Sequence, residues 1–399
     1  MALTNKLTAI ADAIRSKTGG NSPLTLDQMV IEIESIEVGT GGGSGESGEC
    51  NRLHLPEEAL IVSGSCGYRF ANNGWNWFLE EYADKIVTTD VTNCESMFYN
   101  SSNLTEIPFD INLSSGCYGF SNMFDNCTSL TTVPLIKGQI DNPSGGTTMN
   151  RLFSYCSNLR EIPHDYFYNF ASEDFWEIEK TRSGNRNYMF YYCYSLRKLP
   201  DISMLKTSVS YLSCLYYYLT NYCYALDEIT NLPVLNGATY SSNMFTYTVY
   251  NCYRLQNFTF AIQEDGTPYK VEWKNQTLDL SSYVGYAGSS SSVKNILNYN
   301  SGITSDKEVT DDATYQALKD DPDWYTASIY YSRYNHDSAV ATINSLPDAS
   351  AYLNSAGGKN TIKFKKGCGQ KTDGGMITNL TTEEIAVATA KGWTVSLVS

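Results

Sequence analysis

A hydrophobic pattern that returns about every 30 residues dominates the middle of the chain. Each copy begins with Met-Phe or Leu-Phe, continues to a small residue that is usually cysteine, and ends with two aliphatic residues and Pro. A unit of this size cannot bury its own apolar face, so the period predicts a solenoid of stacked units. Clear copies span 97–108, 123–134, 152–163 and 189–200, and two degenerate copies surround Cys223 and Cys252.

Residue types within one copy predict its local structure. Met-Phe and the small position favour a short helix or turn, and the aliphatic residues that follow favour a strand. Because Pro cannot donate to a β-ladder, we expect the strand to end before it. Thr230 and Thr259 replace Pro in the two degenerate copies, so the end of the strand is not marked by Pro there. The predicted fold class is therefore an α/β repeat with a strand and a short helix or turn in each unit.

The first 38 residues carry a helical pattern instead. Apolar residues three or four positions apart predict one amphipathic helix, and a Thr-x-x-Gln capping box predicts a second. Two short helices make a core too small to be stable alone, so we predict that residues 1–38 form a hairpin for docking or oligomerisation. The alternative is a helical appendage packed on its own solenoid. The predicted contact residues are Leu3, Leu7, Ile10, Ile14, Leu26, Met29 and Ile33.

Composition divides the rest of the chain. Residues 39–49 are a Gly/Ser linker, because glycine and serine favour a flexible coil. Residues 50–92 lack the repeat and predict an N-terminal cap, residues 93–262 hold the repeats, and residues 263–399 predict C-terminal repeats and a cap.

Alternation and capping signals predict the secondary structure of the C-terminal region. We expect strands at 271–273, 277–280, 360–364 and 393–398, and helices at 312–320, 338–346 and 385–391. Asp337 is the predicted N-cap of the second of these helices.

The 11 cysteines do not predict a disulfide framework. Five of them occupy the same position in successive units, and Ser101 takes that position in the first clear copy. We therefore predict a small, buried, stacking residue at this position. With three histidines and no Cys-x-x-Cys pair, a zinc site is not expected.

Charge limits the possible partners. The formal net charge of −15 argues against a phosphate-binding surface and against docking on anionic membranes. We expect no nucleic-acid partner and no membrane insertion. The N-terminal residues lack the pattern of a signal peptide, which predicts synthesis in the cytoplasm without export by that route.

No pattern predicts an enzyme. Adjacent carboxylates at 80–81, 311–312 and 320–323 are typical of solvated loops, because glycoside hydrolysis needs two carboxyls that face each other across a cleft. His336 and Asp337 are neighbours in the sequence, which says little about the geometry that Ser-His-Asp chemistry needs. We expect no catalytic residue, no metal and no cofactor.

Tyrosine is the richest feature outside the repeat, at 31 of 399 residues. Its flat apolar ring and hydroxyl suit contacts with sugars and proteins at low entropic cost. Since clusters recur at similar repeat positions, stacking would align them on one side of the solenoid. The alternative is that they are half-buried spacers between units, and Tyr222 beside the cysteine position is interpreted as framework. The candidate binding residues are Tyr191, Tyr192, Tyr216, Tyr217, Tyr218 and Trp176.

The repeat resembles the BspA-type leucine-rich repeat, including its variant in mycoplasma surface lipoproteins. The resemblance covers about 93–262 and implies a curved leucine-rich-repeat solenoid, commonly an adhesin without catalytic residues. The opening pattern from Leu3 to Met29 and the closing pattern from Leu380 to Trp393 are similar to those of phage tail-associated proteins. Together these resemblances imply a bacteriophage virion protein from a Gram-positive gut host or its prophage.

The expected function is receptor binding by a non-enzymatic virion protein such as a tail fibre. The hairpin would attach it to other virion proteins or to sister copies, as a possible homo-oligomer, and the solenoid would bind a host-surface glycan or protein. It would lie on the phage tail or another exposed particle surface. One alternative is a structural protein whose solenoid packs on other virion proteins, and another is a bacterial surface adhesin.

Overall fold

The computed structural model is a parallel β-solenoid of about seven turns with little helix. We number its coils 1 to 7 by the residue at the cysteine position, which is Asn73, Ser101, Cys127, Cys156, Cys193, Cys223 and Cys252 in turn. Coil 1 extends the repeat into the range predicted as an N-terminal cap. The structure describes residues 60–73, 83–138, 149–169, 176–178, 188–202, 205–207, 216–234, 243–252, 255–281, 334–353, 359–366 and 377–399.

The strands of neighbouring coils pair in parallel. A four-stranded sheet with the order β1-β2-β3-β4 covers the first coils, and two pairs, β5 with β6 and β7 with β8, follow. The strands are β1 (Leu60–Ser65), β2 (Ile86–Asn93), β3 (Ile111–Tyr118), β4 (Ile136–Lys137), β5 (Trp176–Ile178), β6 (Leu205–Thr207), β7 (Glu228–Leu232) and β8 (Asn257–Phe260).

The Met-Phe segments are turns, which is one of the two structures predicted for them (a short helix or a turn). Backbone hydrogen bonds also join each of these turns to the turn of the next coil. In coil 2, the amide of Met97 closes a turn on the carbonyl of Cys94. The next amide, on Phe98, points out of the coil and donates to Met123 of coil 3 at 2.9 Å. Amides therefore alternate between closing a turn and joining the next coil, which satisfies these buried backbone donors without a helix.

A column of stacked phenylalanines forms the centre of coils 1 to 5. Successive ring centroids lie 5.4, 5.7, 5.4 and 5.9 Å apart, with interplanar angles of 17° or less. Thr220 and Val249 take this position in coils 6 and 7, where the stack ends. The column consists of Phe70, Phe98, Phe124, Phe153 and Phe190.

Cysteines at the shared position are free and buried, as predicted from the sequence. The prediction missed that each one also donates a hydrogen bond. Cys127 Sγ donates to the Phe98 carbonyl at 3.0 Å, and Ser101 Oγ donates to the Phe70 carbonyl at 2.7 Å. Burial raises the pKa of the Cys127 thiol to about 12, so it stays protonated and able to donate. The same bond recurs from Cys156, Cys193, Cys223 and Cys252 to the preceding coil.

The placement of the strands relative to Pro corrects the sequence prediction. In coils 2 and 3 the aliphatic residues before Pro are not in a strand, and β3 and β4 begin after Pro108 and Pro134. The predicted strand appears only in coils 6 and 7, as β7 and β8, where Thr230 and Thr259 replace Pro. Threonine, unlike Pro, is compatible with a strand, although the pairing of β7 with β8 shifts register at this position, between Ile229 and Leu232.

The C-terminal cap closes the last coils. Strands β9 (Thr277–Asp279), β10 (Asn360–Lys365) and β11 (Trp393–Val398) form a parallel sheet with the order β11-β10-β9. Helix α1 (His336–Ser345) packs on β8, where Thr342 Oγ1 donates to the Phe258 carbonyl at 2.6 Å. The other elements are α2 (Ser350–Leu353), α3 (Thr382–Ala390) and 3-10 helices at Ala83–Lys85, Tyr166–Asn169 and Ile377–Asn379.

Most cap predictions within the described residues agree with the structure. The strands at 277, 360 and 393 and the helix after the Thr381–Glu384 capping box are present. Two details were wrong. Residues 271–273 are not a strand, and the N-cap of α1 is Asn335 rather than Asp337, because the Asn335 side chain accepts from the Ser338 amide at 2.9 Å.

Two predictions lie outside the described residues. The first is the hairpin and linker predicted for residues 1–49, and the second is the helix predicted at 312–320.

Candidate binding surface

Two positions in every coil have a left-handed backbone. The first slot lies five residues before the cysteine position and the second slot lies one residue before it. Every occupant has φ between 44° and 66°. The first slot holds Tyr68, Ser96, Asn122, Arg151, Tyr188, Tyr218 and Tyr247, and the second holds Asn72, Asn100, Asn126, Tyr155, Tyr192, Tyr222 and Asn251.

Asparagine fills the second slot in coils 1 to 3 and suits it well. Asparagine tolerates the left-handed region better than other residues with a side chain, because its short amide interacts locally. The side chains also bond along the column. Asn100 Nδ2 donates to Asn72 Oδ1 at 3.1 Å, and Asn126 Nδ2 donates to Asn100 Oδ1 at 2.5 Å. Backbone and side chain are therefore satisfied together in this half of the solenoid.

Tyrosine fills the same slot in coils 4 to 6, where the backbone favours it least. A bulky residue with positive φ is an outlier that costs about 1–2 kcal/mol. The rings offset part of this cost by stacking. Tyr155 and Tyr192 stack at 4.7 Å, and Tyr192 and Tyr222 stack at 4.3 Å. Tyrosine is thus present for its side chain rather than for the turn.

A second tyrosine column runs beside the first. In the first slot, Tyr188 lies 4.8 Å from Tyr218, which lies 4.9 Å from Tyr247. Tyr191 lies between the two columns and contacts Tyr188 and Tyr192 edge to face. We call the joined surface the tyrosine face. It consists of Tyr155, Tyr188, Tyr191, Tyr192, Tyr218, Tyr222, Tyr247 and Tyr250.

An ion pair marks where the tyrosine face begins. Arg151 Nε lies 3.0 Å from Asp125 Oδ2, and the Arg151 guanidinium lies 5.6 Å from the centre of the Tyr188 ring. Burial raises the pKa of the Asp125 carboxyl, while Arg151 acts in the opposite direction. The guanidinium joins coil 3 to coil 5 by charge on one side and by its cation–π contact on the other.

The tyrosine face is neutral and half-buried. Burial and the neighbouring phenols raise the pKa of the Tyr191 and Tyr222 hydroxyls above the ordinary value. Both hydroxyls therefore stay protonated at physiological pH and can donate or accept hydrogen bonds. Tyr247 is 46% exposed and the other members are intermediate. A surface of this kind offers flat apolar area with a hydroxyl on each ring.

The structure sorts the predicted binding residues into three groups. Tyr191, Tyr192 and Tyr218 lie in the tyrosine face, and Tyr217 contacts it through Tyr218 at 4.7 Å. Trp176 lies in β5, and its side chain is outside the described part. The predicted docking residues Leu3, Leu7, Ile10, Ile14, Leu26, Met29 and Ile33 lie outside it as well.

The prediction that Tyr216 is a binding residue was wrong. Its ring is fully buried, lies 4.9 Å from Phe245, and donates its hydroxyl to the Pro233 carbonyl at 2.6 Å. It lies seven residues before the cysteine position, the same position as the buried Phe120 and Phe245. Tyr216 is a core residue and is left out of the surface.

Sequence reasoning missed Tyr155 and Tyr188 and interpreted Tyr222 as framework. Tyr222 does stack between coils, but it is also one of the partly exposed rings. Alignment of the units on the cysteine position would have found all three, because each falls one or five residues before it.

Metal-ligating side chains are not gathered in the described part of the chain. No three His, Cys, Asp or Glu side chains meet there in a way that could hold a metal ion. His336 contacts Asp337 and Glu384, which joins α1 to α3. The carboxylates at 80–81, 311–312 and 320–323 lie outside the described residues. None of the helices that the structure describes has the length and apolar character needed to cross a bilayer.

The fold and its surface define a parallel β-solenoid with a tyrosine face on its later coils. Comparison of the chain with protein families, curated proteins and solved structures finds no significant match.

Proposed function

We propose that this protein is a non-enzymatic phage virion protein that binds a host-surface glycan or protein through the tyrosine face. One observation carries the proposal. Seven tyrosines hold left-handed positions, and six of them are in coils 4 to 7. In the second slot they replace the asparagine of coils 1 to 3, which suits this backbone better. Strained residues kept against backbone preference are concentrated at functional sites.

The chemistry of the face suits recognition of a cell surface. Tyrosine adds contact area with few rotatable bonds, so ordering it on binding costs little entropy. The face extends over coils 4 to 7 and is neutral, and the chain as a whole is acidic at −15. A protein of this charge would be repelled by anionic phosphate polymers, so neutral glycans and protein loops are the favoured receptors.

The repeat pattern supports membership in the BspA-type leucine-rich-repeat group. Met-Phe, the cysteine and the following leucine occupy fixed positions in successive coils, and all three are buried. The phage origin rests on the resemblance of the two chain ends to tail-associated proteins.

Attachment to the particle is assigned to residues 1–38. The Gly/Ser linker at 39–49 would give the solenoid freedom to reach the host surface. Other virion proteins or sister copies are the proposed partners of the hairpin, and the phage tail or another exposed part of the particle is the proposed location.

A structural role in the particle is the second candidate. Flat, neutral, half-buried tyrosines also suit permanent packing against another protein, since aromatic residues are enriched at such interfaces. This candidate predicts that the tyrosine face is covered in the assembled particle.

Binding to cells separates the two candidates. Fluorescently labelled full-length protein is added to a panel of Gram-positive gut bacteria, with soluble wall polysaccharide or protease-treated cells as comparisons. Saturable binding to some strains supports receptor recognition, and competition by polysaccharide or loss after protease treatment identifies the receptor class. Folded protein that binds no strain, but whose tyrosines become protected from iodination in assembled particles, would favour the structural role.

A further inference from the structure

We infer that a cleft between coil 7 and the C-terminal cap binds a sugar ring of a neutral glycan. The cleft has a volume of about 340 Å³, at the lower end of the range for small-molecule sites. Tyr247 and Tyr250 line it from coil 7, and Asp279 of β9 and Lys363 of β10 line it from the cap sheet. This inference rests on the proposed function, since it names the place on the tyrosine face where a glycan chain is held.

Two perpendicular aromatic rings form one wall. The rings of Tyr247 and Tyr250 lie 4.9 Å apart at an interplanar angle of 88°. Tyr247 also contacts Tyr218, and Tyr250 contacts Tyr222, so the wall is the end of the tyrosine face. An exposed aromatic ring can stack on the apolar C–H face of a pyranose. The second ring, at right angles to the first, would restrict the orientation of the bound sugar.

A carboxylate and an ammonium group of the cap sheet form the opposite wall of the cleft. Lys363 Nζ lies 3.4 Å from Asp279 Oδ2, a long contact, and the two side chains are 37% and 36% exposed. Asp279 is held in place because its Oδ1 accepts from both the amide and the hydroxyl of Ser281, at 2.9 and 2.6 Å. Its Oδ2 and the Lys363 ammonium can therefore bond to adjacent sugar hydroxyls, one as acceptor and one as donor.

The cleft is built before any ligand arrives. Asn243 of coil 7 donates from Nδ2 to the Thr277 carbonyl at 2.8 Å, and its Oδ1 accepts from the Thr277 amide at 3.2 Å. This pair of bonds fixes β9 against the last coil. Preformed sites lose less free energy to ordering on binding.

The charge balance selects the ligand class. Asp279 and Lys363 cancel each other, and the chain carries −15 overall. A phosphate or carboxylate on the ligand would meet the Asp279 carboxylate and gain little from Lys363. Neutral hexoses, N-acetylhexosamines and deoxyhexoses offer the hydroxyl pairs and apolar ring sides that the cleft can bind.

The test uses the full chain and a glycan array of neutral oligosaccharides, each beside a phosphate-bearing or sialylated counterpart. Two matched variants, Tyr247→Asn and Tyr68→Asn, change exposed tyrosines in the same left-handed slot at opposite ends of the solenoid. Asparagine occupies that slot naturally at Asn122, so both variants should fold. Asp279→Asn removes the carboxylate charge with little change in shape. Titration by saturation-transfer NMR with the best neutral glycan measures the affinity.

We expect neutral glycans to bind, with at least tenfold weaker binding in Tyr247→Asn and Asp279→Asn and no change in Tyr68→Asn. Neutral-glycan binding that survives in Tyr247→Asn and Asp279→Asn would overturn the cleft as the site. Binding to cells without binding to any neutral glycan would also overturn it, while the proposed receptor-binding function would stand. A wild-type protein that binds neither cells nor any glycan would overturn both the cleft as a glycan site and the proposed receptor-binding function.

Discussion

The first three coils and the next three have the same two left-handed backbone positions, but they carry different columns of side chains at the second of these positions. Both halves contain stacked phenylalanines, which run from coil 1 to coil 5, donors at the cysteine position, which run from coil 2 to coil 7, and the two left-handed slots. In the second slot, coils 1 to 3 use asparagines that bond along the column, and coils 4 to 6 use stacked tyrosines. The asparagine half shows what the fold requires. The tyrosines of the other half are therefore an addition to the fold, which is why we assign function to them.

The largest expected effect comes from the core that both halves share. Phe98→Ala in the asparagine half and Phe153→Ala in the tyrosine half each remove a fully buried ring stacked on both sides. We expect each change to lower the free energy of unfolding by about 3–5 kcal/mol. Native-state hydrogen exchange is the suitable measurement, because coils of a solenoid can open locally. A much smaller loss for Phe153→Ala would mean that the tyrosine columns, rather than the core, hold that half together.

The donor at the cysteine position is expected to matter next. Cys193→Ala removes the bond from Sγ to the Phe153 carbonyl and should cost about 1–2 kcal/mol. Cys193→Ser should cost less than about 1 kcal/mol, because Ser101 makes the equivalent bond naturally. Chemical denaturation of the two variants, with Ser101→Cys as the reciprocal control, measures the difference. Equal stability of the alanine and serine variants would leave size as the only requirement at this position.

A column swap should change stability less. Combining Tyr155→Asn, Tyr192→Asn and Tyr222→Asn gives coils 4 to 6 the same second slot as coils 1 to 3. The swap loses ring stacking worth about 0.5–1.5 kcal/mol per pair but relieves left-handed strain of similar size. We expect a net change within about 2 kcal/mol, measured by thermal unfolding. Collapse of the fold would show that the tyrosines are structural spacers, the alternative interpretation from the sequence.

The smallest expected effect concerns the cap, which adjoins the tyrosine half. Burial lowers the pKa of His336, but its bonds to Glu384 and Asp337 outweigh this, so the pKa is raised from 6.5. The bond from the Thr381 amide, aided by His336, lowers the pKa of Glu384 from 4.5.

The His336 contribution is therefore complete below pH 6.5 and is lost as the pH rises through its folded pKa. The Glu384 contribution is present above pH 4.5 and is lost as the pH falls through its folded pKa. Between these limits we expect His336→Gln to lower the melting temperature by a few degrees at most, and by less as the pH rises through the folded pKa of His336. A larger effect at pH 8 than at pH 5.5 would contradict the sign of this linkage.

The sequence predicted the parts of the fold that depend on burial. Phe, Leu and the cysteine recur with the period of the coil, so they identify a solenoid and its core. Strand placement before Pro108 was wrong, because the side-chain pattern does not reveal where the backbone ladder runs. The left-handed slots were missed for a similar reason. Asparagine is typical of a left-handed backbone, as at Asn100 and Asn126. Tyrosine is not, so Tyr155 and Tyr192 at the equivalent positions gave no indication of it. Tyr216 was misplaced because a run of three tyrosines gives no sign of which ring points inward.

We propose above all that the tyrosine columns recognise the host and that the fold does not need them. Cell binding by the Tyr155/Tyr192/Tyr222→Asn column swap tests this most directly, with the wild-type protein and the single Tyr68→Asn variant as controls. We predict that the column swap melts as one cooperative, native-like protein and loses saturable binding to cells, while Tyr68→Asn binds as the wild type does. A folded column swap that still binds cells with unchanged affinity would contradict the claim.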